Sequence, residues 1–322
     1  MSTEKQVLLN VEDLKMHFQV KSDDAFGKKT ALKAVDGVNF KIYEGEALGL
    51  VGESGCGKTT VGKMIVKLLQ PTGGSMLYRR ENIVGLNRRQ FKKYRQDIQI
   101  IFQDPFSSLD PRQSIGKIIG EPLRAKKVKG NIPEMVKQLM EDVGLRQDSY
   151  TRYPHEFSGG QRQRVGVARA LALNPTLVIC DEPVSALDVS IQAQILNLMQ
   201  DLQEKYQLTY LFISHDMSVV KHMCERIAIM YLGRIVEIAE TKALFDSPLH
   251  PYTRALLEAI PVPNPELKKD LGTLKGDVPS PINLPPGCRF ITRCSQCLDR
   301  CETEEPQLKE VSPGHFVECH LY

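Results

Sequence analysis

The sequence predicts an α/β fold with a mostly parallel sheet covered by helices, and three observations carry that expectation. Four short apolar runs, "ALGLVG" (47–52), "IQIIF" (98–102), "TLVICD" (176–181) and "LTYLFIS" (208–214), read as strands buried on both faces. Segments with helical periodicity alternate with them, as βαβ units require. The first run passes through the glycine-rich turn "GESGCGKTT" into the helical "VGKMIVKLL", a strand–turn–helix.

Taken in order, the chain opens with "LLNVEDLKMHFQV" (8–20) and "ALKAVDGVNFKIYEGE" (31–46). Their apolar and polar residues alternate, so an antiparallel, half-exposed sheet is expected ahead of the parallel one. Between about Asp104 and Asn174 the strand signal fades and helical spacing dominates, as in "PEMVKQLMEDVGL". This predicts a helical subdomain inserted in the sheet. "RIAIMYLGRIVEIA" (226–239), interrupted at Gly233, reads as a hairpin. After His250 proline rises, in "IPVPNP" (260–265) and "DVPSPINLPPG" (277–287), marking a boundary between a main body at 1–250 and a loop-rich tail at 251–322.

The 322 residues, 42% hydrophobic, suffice for one large or two ordinary domains with a real core. No charged start is followed by an apolar run and a small-residue cleavage site, so no secretory signal is expected. No apolar stretch approaches the roughly 20 residues of a membrane-spanning helix, so any membrane role is expected to be peripheral. A net charge of +3 gives no chain-wide reason to expect nucleic acid, and the locally basic "RRQFKKYR" (88–95) reads as a solvated helix face. Eight cysteines in a chain without a secretion signal are expected to be reduced.

Gly52, Gly57, Lys58 and Thr59 stand in the order G-x-x-x-x-G-K-T. Such a loop lets backbone N–H groups converge on phosphate oxygens, and the helix N-terminus adds partial positive charge there. Lys58 is placed to reach the β- and γ-phosphates, and the Thr59 hydroxyl to ligate Mg²⁺. In "LVICDEP" (177–183) a buried strand ends in two acids; Asp181 fits a holder of Mg²⁺ and Glu182 a group that polarises the attacking water. In "EFSGGQRQRVGVARAL" (156–171), Ser158, Gly159, Gly160 and Gln161 open a helix and offer a second anion-binding end.

"FSGGQ" (157–161) resembles the LSGGQ signature of ATP-binding cassette (ABC) proteins, with Phe157 in place of leucine, and the other motifs of that family follow in its order. Gln103 in "FQDP" matches the Q-loop, Asp188 closes the D-loop "SALD", and His215 in "ISHD" matches the switch histidine. Phe18 sits where an adenine-stacking aromatic belongs. The resemblance implies an ABC-type nucleotide-binding domain: a RecA-like core around the phosphate loop, an antiparallel β subdomain and an inserted helical subdomain at about 104–174. It implies ATP and Mg²⁺ as ligands, with Phe18, Gly52, Glu53, Ser54, Gly55, Cys56, Gly57, Lys58, Thr59 and Thr60 around the nucleotide and Thr59, Gln103 and Asp181 around Mg²⁺. Glu182, His215 and Gln103 would be catalytic. Two such cassettes pack head to tail, so Ser158, Gly159, Gly160, Gln161 and Asp188 would act on the nucleotide of a second cassette.

"SPLHPYTRALLEAIPVPNP" (247–265), "GDVPSPINLPPGCRFITRC" (276–294) and "YPHEFSGGQRQR" (153–164) together resemble the F-type ATPase subunits of oligopeptide and dipeptide importers. That implies ATP hydrolysis driving peptide import, peripherally at the cytoplasmic face of the membrane. The implied partners are a paralogous ATPase, two membrane permeases docked around Gln103 to Asp110 and an external peptide-binding protein, with no nucleic acid. Nickel and some sugar importers use closely similar ATPases, so the solute stays open. A soluble ABC ATPase acting on nucleic acid or ribosomes is the alternative class. Those usually carry two cassettes or a coiled-coil arm, and neither is present.

Cys288, Cys294, Cys297 and Cys301 fall within fourteen positions. Their spacing, C-x5-C-x2-C-x3-C, is neither a pair of separated zinc knuckles nor a ferredoxin run, and it leaves an iron–sulfur cluster, Zn²⁺ and no metal all open. The tail of the importer ATPases, with C-x5-C-x6-C and a later cysteine, resembles a [4Fe-4S] site. That implies Cys288, Cys294, Cys301 and Cys319 as ligands and leaves Cys297 as surplus or a substitute. His315 and His320 read as solvent-facing tail residues, and Cys180 and Cys224 as small buried side chains. Cys56, at a helix N-terminus, is expected to have an acidified thiol whose alkylation blocks ATP turnover.

Overall fold

The structure, a computed structural model, describes residues 5–21, 29–104, 108–260, 279–282 and 284–322. Most of the proline-rich stretch at the tail boundary, 261–278 and 283, lies outside the described residues, as do 105–107 beside the Q-loop glutamine.

Two long strands, β1 (Val7–Lys21) and β2 (Lys29–Tyr43), come first, followed by β3 (Ala47–Val51) and α1 (Lys58–Ile65) on either side of the glycine-rich turn. The short strands β4 (Gly73–Tyr78) and β5 (Glu81–Asn82) and one turn of helix, α2 (Tyr94–Asp97), precede β6 (Ile98–Ile101). Then come α3 (Ile115–Ala125), α4 (Ile132–Asp142) and α5 (Gly159–Leu171) before β7 (Leu177–Asp181), so the region read as helical is helical. After α6 (Val189–Tyr206) and β8 (Thr209–Ser214) come α7 (Met217–Met223), β9 (Arg226–Tyr231), β10 (Arg234–Glu240), α8 (Thr241–Asp246) and α9 (Pro251–Glu258). The tail adds β11 (Leu308–Ser312) and β12 (His315–Glu318).

Contacts group Met1–Gln6, Tyr43–Ala47 and Gly85–Ile213 into one compact unit and Val7–Ile42, Leu48–Val84 and Ser214–Tyr322 into another. In the first, β6, β7 and β8 run parallel, with Ile98 opposite Leu177 and Leu177 opposite Thr209. Every residue of β7 and β8 is buried, as a parallel sheet covered on both faces demands. α3 buries Ile115, Ile118, Ile119 and Leu123, and α4 buries Val136, Leu139 and Met140. Residues three and four apart thus give each helix one apolar stripe. The basic stretch at 88–95 buries Phe91 and Tyr94 and leaves Lys92, Lys93 and Arg95 exposed, the solvated face its sequence predicts.

In the second unit, β1 lies antiparallel to β4 and β4 to β5, in the order β2–β1–β4–β5. Val38, Phe40 and Ile42 are buried between exposed Asn39 and Lys41, the alternation expected of a half-exposed sheet. A further sheet places β9 between β3, parallel to it, and β10, antiparallel to it. Leu232 and Gly233 join that hairpin at φ 41° and 81°, both left-handed, as a type I′ turn requires.

The tail is less loop-rich than its sequence predicts. β11 and β12 form a hairpin, and β12 pairs with β10, Val317 opposite Glu237. The strand signal is masked because two buried positions of β12 are His315 and Glu318. His315 is therefore not solvent-facing: its Nε2 lies 2.7 Å from Glu237 Oε1. Glu237, fully buried, also accepts the Leu249 and His250 N–H groups, so its carboxylate is satisfied from three sides. Phe290 packs against Tyr231 and Tyr252, with ring centroids 5.3 and 5.5 Å away. Burying a phenylalanine contributes about 1.5–3 kcal/mol to this docking.

Candidate functional site

The phosphate loop belongs to the second unit. Gly57 carries φ 109° immediately before α1, and a Cβ there would stand 2.2 Å from the Ala34 carbonyl oxygen, so only glycine fits. Lys58 is buried. Its Nζ donates to the carbonyls of Gly52 at 2.7 Å and Glu53 at 2.9 Å. The ammonium thus sits under an arch of its own loop's oxygens, weaker acceptors than a phosphate. Cys56 differs from expectation: it is 4% exposed, and burial pushes its thiol up while Lys58 pulls it down only in part. Desolvation outweighs the helix end, so the thiol is not acidified. Phe18, half-buried on β1, and exposed His215, directly after β8, belong to this unit as well.

Gln103, Asp181, Glu182, the signature segment and Asp188 belong to the first unit. Asp181 ends β7 and is buried. Glu182 has φ 46°, a left-handed backbone that costs a non-glycine residue about 1–3 kcal/mol. Its N–H donates to the Ile213 carbonyl at 3.0 Å, and its own carbonyl accepts the Ser185 hydroxyl at 3.1 Å. These bonds hold the bend that turns the chain off the strand end. Gln103 Nε2 donates to Glu182 Oε2 at 2.9 Å, so the Q-loop glutamine and the acid after β7 meet directly.

The signature segment forms a reciprocal cap on α5. Ser158 Oγ accepts the Gln161 N–H at 3.4 Å, and Gln161 Oε1 accepts the Ser158 N–H at 3.0 Å. Both side chains are exposed, whereas Phe157, in the signature's leucine position, is buried under the Arg152 guanidinium. Asp188 is exposed at the N-terminus of α6.

Three residues of the second unit escape sequence reasoning. Tyr252 Oη accepts the Glu53 N–H at 3.0 Å. Arg293 donates to both Glu53 carboxylate oxygens, and Arg289 donates to the Leu232 carbonyl and to Asp36. Burial works against the Asp36 carboxylate, but Arg289, His17 and Lys33 outweigh it and hold its pKa down at about 2. The available signal was two arginines interleaved with cysteines in "CRFITRC" (288–294).

All eight thiols are free; in the tail Cys288 and Cys301 are buried, Cys294 and Cys319 half-buried, and Cys297 exposed. Burial first, then the neighbouring Cys301, Cys319 and Cys294, push the Cys288 thiol up to about 12. Burial, with Cys294 and Cys301, likewise raises Cys319. Cys297 Sγ instead donates to the Ile291 and Cys294 carbonyls. Among the described residues, no group of three or more His, Cys, Asp or Glu side chains is placed to hold a metal ion. The four thiols share a neighbourhood without converging as ligands. Among the described residues, no helix is long and apolar enough to cross a membrane.

Residues 35–185 match the ABC transporter family, and residues 236–301 match the oligopeptide/dipeptide transporter C-terminal region. The oligopeptide transport ATP-binding protein AppF of Bacillus subtilis is 49% identical over 99% of this chain and 98% of its own length. The oligopeptide transport ATP-binding protein OppF of Escherichia coli is 49% identical over 98% of this chain and 96% of its own. Among solved structures, the dimeric ATP-binding cassette MJ0796, bound to ADP and Pi, aligns with a TM-score of 0.64 at 26% identity, over 72% of this chain and 98% of that one.

Proposed function

Because the chain belongs to the ABC transporter ATP-binding proteins of the oligopeptide/dipeptide type, we propose that it is the ATP-hydrolysing motor of a peptide importer. The observation that carries the catalytic part is the 2.9 Å contact of Gln103 with Glu182. Glu182 polarises the attacking water, and Gln103 fixes the direction of its carboxylate. Lys58 exchanges its loop carbonyls for the β- and γ-phosphates, and the backbone of Gly52 to Thr60 cradles them. Thr59, Asp181 and Gln103 would hold Mg²⁺, which would supply charge neutralisation at the phosphates. Phe18 stacks on the adenine, and His215 orients the γ-phosphate.

Ser158, Gly159, Gly160, Gln161 and Asp188 serve the nucleotide of a second, paralogous cassette. The exposure of Ser158, Gln161 and Asp188 supports this, as does the dimeric state of the aligned cassette. Two permeases supply the membrane path and seat the pair at the cytoplasmic face, and an external binding protein delivers the peptide. The test is reconstitution of the five-component complex. ATP turnover stimulated by peptide-loaded binding protein, and lost in Glu182→Gln while ATP still binds, is the expected result. Stimulation by nickel alone would reassign the solute, and steady turnover in Glu182→Gln with the partner site disabled would remove Glu182 from catalysis.

The tail thiols Cys288, Cys294, Cys301 and Cys319 are proposed to hold a metal centre, a [4Fe-4S] cluster in preference to Zn²⁺, once their side chains rotate inward. The nearness of Cys294 and Cys301 to both Cys288 and Cys319, whose thiols they help to raise, supports the reading. A metal would crosslink a tail whose start is rich in proline and poor in apolar periodicity. Anaerobic purification with iron, sulfide and zinc analysis tests it: near-zero values remove the metal. Cys319→Ser is expected to empty the site and Cys297→Ser to leave it filled.

A further inference from the structure

We infer that the C-terminal extension is a working part of the nucleotide site: Arg293, with Tyr252 holding the Glu53 N–H, neutralises and positions Glu53 and thereby sets the affinity for ATP. This rests on the reading of Gly52 to Thr60 as the nucleotide loop. Glu53 is held from both sides. Its carbonyl accepts Lys58 Nζ at 2.9 Å and the Cys56 N–H at 3.3 Å, both within the loop. Its N–H and its carboxylate are taken by the extension, by Tyr252 Oη at 3.0 Å and by the two Nη atoms of Arg293 at 2.7 and 3.0 Å.

The fork-on-carboxylate geometry fixes both partners. The Arg293 side chain is 4% exposed and the Glu53 side chain 24%, so the pair is part-buried and shielded on the arginine side. Its guanidinium lies 5.8 Å from the centroid of the Tyr231 ring, and Tyr231 packs on Tyr252 at 4.7 Å. Four residues earlier, Arg289 is tied to the Leu232 carbonyl and Asp36, and Phe290 fills the aromatic cluster between the two arginines. Arg289 to Arg293 is therefore a short strap anchored at both ends, with Glu53 at one of them.

The chemistry explains why such a strap is useful. Glu53 places a negative charge in a loop that receives a polyphosphate. Paired with Arg293 it is neutral to the ligand; unpaired, it repels it. Both Nη atoms of Arg293 are taken by Glu53, so Arg293 is a positioning residue that acts on binding rather than on the chemical step.

The test uses the full-length chain, with binding of a fluorescent ATP analogue and thermal unfolding, and steady-state kinetics in the assembled complex. Arg293→Met is expected to raise Kd and KM for ATP about tenfold with kcat within about twofold, the effect of one like charge ~10 Å away at an effective dielectric of ~20. Arg293→Lys, which keeps charge without the fork, should fall between. Glu53→Gln combined with Arg293→Met should recover most of the lost affinity, because the repelling charge is gone. A purely structural brace predicts no recovery, and that result overturns the inference, as does an unchanged KM in both Arg293 variants. If Arg293→Met fails to fold, Arg293→Lys and its combination with Glu53→Gln give the same comparison. Lys58→Ala separates the underlying reading: binding that survives it removes the nucleotide loop itself, whatever Arg293 does.

Discussion

Ser158 has an observed role and a proposed one, and substitution can separate them. In the structure it caps α5, and in the proposed dimer it meets the γ-phosphate of the partner's nucleotide. Ser158→Ala removes the cap bond, which at 3.4 Å is long, while the 3.0 Å bond from the Ser158 N–H to Gln161 remains. The cost should be about 0.5–1 kcal/mol, a drop in unfolding midpoint of about 1–3 °C. Ser158→Asp keeps a good capping acceptor and favours the helix dipole, so it should melt at or slightly above the wild-type temperature. It also puts a carboxylate where a phosphate must come. At ~4 Å and an effective dielectric of ~20 the repulsion is ~4 kcal/mol, on the order of a thousandfold in turnover of the assembled complex. Thermal melts and ATPase rates on the same preparations read both jobs. Wild-type turnover in Ser158→Asp would refute the phosphate role, and a melt below that of Ser158→Ala would refute the capping role.

Gly57→Ala should raise the Kd for nucleotide more than about a hundredfold, because a side chain at φ 109° is strained and its Cβ meets the Ala34 carbonyl; near-native binding would show that the loop relaxes. Under a maleimide time course read by mass spectrometry, exposed Cys297 should label well before buried Cys56, and the reverse order would contradict the burial argument. The His250 imidazole, pushed down to about 3 by burial and Arg254 from an ordinary 6.5, binds fewer protons folded than unfolded between those values. Stability is therefore fully present above pH 6.5 and falls as pH drops toward 3, by on the order of 5 kcal/mol. His250→Asn, whose amide oxygen can replace the Nδ1 that accepts the Tyr252 N–H at 3.0 Å and which does not titrate, should flatten that slope in melts followed by tyrosine fluorescence; an unchanged slope refutes the assignment.

The parallel strands were legible because burial on both faces writes itself as contiguous apolar residues, as in "LVIC" and "YLFI". The helical region and the β9–β10 hairpin were legible from periodicity and a glycine. The tail hairpin was not: its inward positions include His315 and Glu318, whose burial depends on partners a local pattern does not reveal, such as Glu237. Among the candidate site residues, the motifs singled out Lys58, Glu182 and Ser158. They could not give the Gln103–Glu182 bond or the reciprocal Ser158–Gln161 cap. Cys56 was misjudged because a helix end is visible in sequence and desolvation is not. Arg289 and Arg293 were missed for a plainer reason: their partners lie 253 and 240 residues away.

That separation has a consequence for biosynthesis. At about 5–20 residues per second, the 240 positions between Glu53 and Arg293 take roughly 12–48 s to translate. Through that interval a nascent chain owns its lysine arch but not the arginine that masks Glu53. The loop written near the start of the message is completed by a residue written near its end, so a prematurely terminated chain keeps a bare acid in the loop proposed to hold ATP. Full affinity then becomes a mark of finished synthesis.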